Sequence, residues 1–75
     1  MDYQHIAAEW RKTQPENRAK TGIVLIWDGR VYGWKDKLRD AADERPGAIA
    51  VDANGNVYRA TAGTADHGAR GWVVV

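Results

Sequence analysis

The run Ile23–Trp34, IVLIWDGRVYGW, constrains this chain more than any other. Ile23 to Trp27 is apolar at every position, Asp28-Gly29 follows, and Val31-Tyr32 opens a second β-prone run. An Asp-Gly pair between two such runs specifies a hairpin, because a type I′ turn needs positive φ at both central positions. A first arm without a polar residue calls for cover on both faces, which makes Ile23–Trp27 the central strand. Alternation points Ile23, Leu25 and Trp27 one way and Val24 and Ile26 the other. On the second arm Arg30, Tyr32 and Trp34 share a face opposite Val31. Gly33 marks a bulge or a close backbone approach.

The flanking segments supply the rest of a small domain. Asp2 suits a helix N-cap. Tyr3, Ile6, Ala7 and Trp10 then fall on one helical face, an amphipathic helix laid on a sheet or a detachable arm that docks on a partner. Arg11 and Lys12 favour its C-terminal end, and Pro15 stops it by Gln14. Glu16–Thr21 is polar and reads as a loop. Lys35–Arg45 reads as a second helix, capped by Asp36, with a thin stripe of Leu38, Ala41 and Ala42, ended by Arg45-Pro46-Gly47. Ala48–Asp52 and Asn56–Thr61 form a second hairpin around Asn54-Gly55. Ala62–Arg70 reads as a long loop, a length at which loops are often functional or mobile. Gly71–Val75 is a last strand. The expected fold is a single α+β domain over residues 1–75, an antiparallel sheet of about five strands packed on one side by two helices. The last strand is a run of valines with no charged residue, so at a sheet edge it invites a second copy, and a homodimer is expected.

Composition excludes several classes. The chain has 75 residues and no Cys, which rules out disulfides and thiolate metal sites. No segment approaches the ~20 apolar residues of a membrane span, and nothing near Met1 resembles a signal peptide, so the expected location is cytoplasmic. The net charge of +1 argues against a dedicated nucleic-acid binder. Four Trp against no Phe raises the question of whether one is left over at the surface.

The chemistry-bearing residues are sparse. With neither Cys nor Ser, the commonest nucleophiles are missing, and the expectation is a protein that is not an enzyme. His5 reads as a solvated helix residue and His67 as a loop residue, its neighbour Asp66 giving no evidence of a dyad. Asp52-Ala53-Asn54-Gly55-Asn56 lacks the closing Glu of a calcium loop and reads as a turn. Gly63, Gly68 and Gly71 do not have phosphate-binding spacing. No metal or cofactor is expected. The segment AVDANGNVYRA is similar to one repeat of a β-propeller family, but a lone repeat cannot build a propeller. What remains is a cationic and aromatic set: Arg30, Tyr32, Trp34 and Lys35, followed by Lys37, with Tyr58 and Arg59 from the second hairpin. Trp, Tyr and Arg are the types enriched at interface hot spots. The same set suits stacking on single-stranded nucleic acid. If Tyr32 and Trp34 instead pack under a helix, only the charges are solvated.

The runs VLIWDGRVYGWKDKLRD (Val24–Asp40) and ERPGAIAVD (Glu44–Asp52) resemble small proteins of conjugative plasmids and integrative elements, commonly labelled antirestriction or accessory proteins. Gly68–Val74 is similar more loosely. The resemblance implies a cytoplasmic protein that acts by binding, against a host defence system. Mimicry of DNA would require a strongly acidic chain, and this chain departs from that. The expected function is a small interaction protein with a protein partner, its contacts made by Arg30, Tyr32, Trp34, Lys35 and Arg59 and the Ala62–Arg70 loop a second candidate. The alternative is a weak nucleic-acid binder using the same face with Lys37 and Arg39. A small hydrolase using Asp66 and His67 is a third reading.

Overall fold

A computed structural model describes residues 2–75. The elements are α1 (Tyr3–Arg11), α2 (Glu16–Ala19), β1 (Ile23–Trp27), β2 (Arg30–Lys35), a single 3₁₀ turn at Ala41–Asp43, β3 (Ile49–Val51), β4 (Val57–Thr61) and β5 (Gly71–Val74). All strands pair antiparallel in the order β2-β1-β3-β4-β5, so two helices and one five-stranded sheet make a small α+β fold. Among the described residues, no helix is long and apolar enough to cross a membrane.

β1 lies inside the sheet between β2 and β3, as its apolar composition requires. Asp28 and Gly29 take φ of 51° and 76°, the positive values a tight hairpin needs. The arm is covered on both faces. Val24 and Ile26 join Ile49, Val51 and Ala7 in one buried cluster, against which Tyr3, Ile6 and Trp10 of α1 pack. Ile23 and Leu25 join Ala50 on the opposite face, under Leu38, Tyr58 and Trp72. A third cluster of four alanines, Ala41, Ala48, Ala60 and Ala69, continues that layer beneath the 3₁₀ turn.

α1 starts at Asp2, whose carboxylate accepts from the His5 N–H at 3.0 Å. Its far end is fixed by Arg11. That guanidinium donates to the carbonyls of Arg18, Thr21, Gly22 and Val51 at 3.0, 2.6, 2.8 and 3.4 Å. Burial lowers the Arg11 pKa, against the opposing pull of the Asp52 carboxylate. One side chain thus ties the helix to the next turn and to the sheet.

Two expectations are corrected. Glu16–Thr21 is not all loop, because Pro15 opens α2, and the Arg18 and Ala19 N–H groups both bond the Pro15 carbonyl. Lys35–Arg45 is not a helix. Lys35 continues β2 opposite Ile23, and only Ala41–Asp43 turns, capped by Asp40 rather than Asp36. The physical reasons are local and distant. Asp40 accepts from the Ala42 N–H instead of leaving the backbone to coil, a habit that disfavours Asp in helix interiors. The Trp72 indole N–H also takes the Arg39 carbonyl at 2.8 Å. Ala62–Arg70 is the expected loop, without a helix or strand of its own and closed by an isolated bridge. Thr64 bridges Gly68, and Ala69 N–H donates to the Glu44 carbonyl at 2.8 Å.

Candidate functional site

The hairpin does not keep its alternation. Leu25 faces Gly33 and Ile26 faces Val31, so Tyr32 is an extra residue, a bulge one position before the glycine. A single inserted residue reverses the faces beyond it. Val31 and Trp34, both opposite residues of the α1 layer, therefore point to the same side, although three apart in sequence. Tyr32 and Lys35 both reach the other side, where they meet Glu44.

Glu44 is the organising residue. It is 7% exposed, the one charged residue among the buried set. Its Oε1 accepts from the Tyr32 hydroxyl at 2.5 Å and its Oε2 from Lys35 Nζ at 2.6 Å. A buried carboxylate needs such partners on both oxygens. Burial first, then the bond to Glu44 and its charge, hold the Tyr32 phenol well above its usual pKa. Asp43 lies 3.8 Å from the same ammonium.

Above this floor is a cleft of about 360 Å³ lined by Trp27, Arg30, Tyr32, Asp43, Glu44 and Arg45. Trp27 answers the question of the spare tryptophan. It is 37% exposed, whereas Trp10, Trp34 and Trp72 pack against the buried clusters. The Arg45 guanidinium lies over its ring, 4.2 Å from the centroid. Among the described residues, neither Arg30 nor Arg45 pairs with a carboxylate. The cleft offers an aromatic wall and two free guanidinium groups over a fixed base. Such a surface stacks on flat apolar groups and pairs with carboxylates or phosphates.

The structure gathers only part of the expected set. Arg30 and Tyr32 line the cleft, and Lys35 lies beneath it, bound to Glu44. Trp34 is on the α1 side, its indole donating to the Thr21 carbonyl at 2.9 Å with Arg18 stacked over it. Arg59 is exposed on β4, opposite Ile49, and so faces the α1 side as well. Tyr58 packs against the cluster of Ile23, Leu25 and Ala50. Trp27, Glu44 and Arg45 were not expected at this site. The signals were Trp27 beside the hairpin turn, where a strand end escapes cover, and Arg45 before Pro46-Gly47.

His67 lies apart from this cleft, its Nδ1 3.2 Å from the Thr64 hydroxyl, and His5 is on the exposed side of α1 near Glu9. Among the described residues, no three His, Cys, Asp or Glu side chains come together to hold a metal. Comparison of the chain with protein-family models, with curated proteins and with solved structures finds no match.

Proposed function

We propose that this is a non-enzymatic interaction module that presents the Trp27–Arg30–Tyr32–Arg45 cleft to a protein partner bearing a carboxylate. One observation carries the reading. Two guanidinium groups without carboxylate partners flank a half-exposed Trp, while Tyr32 and Lys35 are held on a buried carboxylate. A floor already fixed in place at Tyr32 loses little further side-chain entropy on binding. The absence of Cys and Ser supports a binding role over catalysis. A role in a mobile element or against a host defence rests on the resemblance of Val24–Asp52 alone.

A nucleic-acid partner is the second reading, and the phosphate affinity of the same two guanidinium groups favours it. The separation of Arg59 from the cleft weakens it, since Arg59 faces the α1 side. The test is fluorescence polarisation with a labelled peptide combining Glu residues with one Leu and one Trp, against a labelled single-stranded oligonucleotide. The proposal expects peptide binding that weakens about tenfold in Trp27→Ala and in Arg30→Ala with the fold intact, the loss of a peripheral hot spot. Oligonucleotide binding that falls steeply with salt, without peptide binding, replaces it with the second reading.

A further inference from the structure

The two edges of the sheet are built differently. The β2 edge carries Arg30 and Lys35 and is bent by the Tyr32 bulge, devices that discourage pairing with another strand. The β5 edge has neither. Gly71–Val74 is free of charge and bulge, and Val73 and Val74 are 47% and 76% exposed.

The hydrogen-bond phase of β5 follows from its neighbours. Val75 N–H donates to the Val57 carbonyl, and Arg59 is opposite Val73. In an antiparallel ladder the bonding residues alternate, so Val73 and Val75 turn their backbone groups to β4. Trp72 and Val74 turn theirs away from the sheet. Among the described residues the N–H and C=O groups of these two find no other backbone partner, and the two residues are spaced symmetrically about Val73.

We infer that β5 pairs antiparallel with β5 of a second copy, on a two-fold axis through Val73. Trp72 then opposes the other copy's Val74, and Val73 opposes Val73. The symmetric register satisfies the outward groups of Trp72 and Val74 in both copies and yields one continuous ten-stranded sheet from two sheets of five. Charge favours the same occupant. β5 has no charge to oppose itself, and the nearest cation on the Val73 face is Arg59, on the neighbouring strand. The two copies of Arg59 would be separated by three strand spacings, about 14 Å, beyond the ~8 Å screening length. One strand pair covers less than the ~1,200 Å² of a standard stable interface, so the expected dimer is weak and concentration-dependent.

Sedimentation velocity from low micromolar to near-millimolar protein tests this. The wild type is expected to pass from monomer to dimer, and a monomer throughout overturns the inference. Val73→Lys and Val73→Glu each place like charges opposite one another across the axis and should each weaken the dimer roughly tenfold. An equimolar mixture of the two should restore it as a heterodimer. Single variants that dimerise like the wild type, or a mixture that fails to pair, overturn the register. Val74→Pro removes an N–H that faces away from β4. It should abolish the dimer with the circular dichroism spectrum unchanged, and a folded Val74→Pro dimer overturns the inference even if the Val73 variants do not fold.

Discussion

The Tyr32 hydroxyl donates to Glu44 Oε1 at 2.5 Å across 12 residues of sequence. This bond joins the hairpin bulge to the end of the 3₁₀ turn and fixes the floor of the cleft. Tyr32→Phe should cost about 1 kcal/mol, a typical net hydrogen bond. Glu44→Ala should cost more, about 2 kcal/mol, because Lys35 loses its partner too. Urea denaturation of both variants checks the order, and a Tyr32→Phe variant costing more than Glu44→Ala contradicts it.

The same bond has a pH signature. The Tyr32 pKa is raised in the folded state, so the unfolded chain releases its proton first. The contribution is therefore complete below the usual tyrosine pKa of about 10 and is lost as pH rises from there towards the higher folded value. Stability measured from neutral to strongly alkaline pH should fall above that point. The fall should be shallower in Tyr32→Phe, and equal slopes in the two proteins would remove Tyr32 as its source.

Arg11 is a structural cation. Four carbonyls converge on its guanidinium, from α2, the following turn and β3. Lys cannot reproduce a planar fork of donors. Arg11→Lys should therefore destabilise by about 2 kcal/mol, in the range of hydrogen bonds to a charged group. In a domain of this size that lowers Tm by about 8–16 °C. A calorimetric Tm within a few degrees of wild type contradicts this role.

The elements written in local chemistry are legible in the sequence. Asp28-Gly29 specifies the first turn, and Asp2 with the Tyr3, Ile6, Ala7 and Trp10 stripe specifies α1. The failures lie where the deciding contact is distant. Nothing near Leu38 announces that Trp72 will take the Arg39 carbonyl, and Asp40, which caps the 3₁₀ turn, is the local sign against a longer helix. Gly33 signals the bulge in the sequence, but placing Arg30, Tyr32 and Trp34 on one face ignores the residue it inserts, and that residue, Tyr32, carries Trp34 to the α1 side. Glu44 reads as a solvated charge until Tyr32 and Lys35 are brought to it by the fold. The missed α2 had a local signal, since Pro followed by Glu is a common helix start as well as a helix stop.

Asp52 governs the second hairpin turn. Its Oδ1 accepts from the Asn54 and Asn56 N–H groups at 2.9 Å each, and its Oδ2 from the Asn56 amide at 3.0 Å. Desolvation pushes its pKa up, but the Asn56, Asn54 and Tyr58 hydrogen bonds outweigh that and leave it below the usual value. A lowered carboxyl pKa contributes stability that is present above the unfolded value, near pH 4, and lost as pH falls through the folded one. Asp52→Ala should cost about 1 kcal/mol at neutral pH and less in acid. An undiminished cost at low pH would show that the turn does not depend on the ionised carboxylate.

Gly22 is the most constrained glycine of the α1 side. Its φ is +71°, and a Cβ there would lie 2.4 Å from Trp34 Cζ2 and 2.5 Å from the Lys35 carbonyl oxygen. Gly22→Ala must therefore strain the backbone and displace the indole that bonds Thr21, at a cost of about 2–3 kcal/mol. Gly33→Ala is the matched control, because its Cβ would meet only Leu25 Cδ1, at 3.7 Å. Denaturation midpoints should drop for Gly22→Ala and barely move for Gly33→Ala. Because Trp34 faces away from the cleft, Gly22→Ala should leave peptide affinity at the Trp27 face unchanged at temperatures where the variant is folded. A variant that loses stability and affinity together would mean that the two sides of the hairpin are coupled through Lys35, whose carbonyl meets Gly22 and whose ammonium holds Glu44.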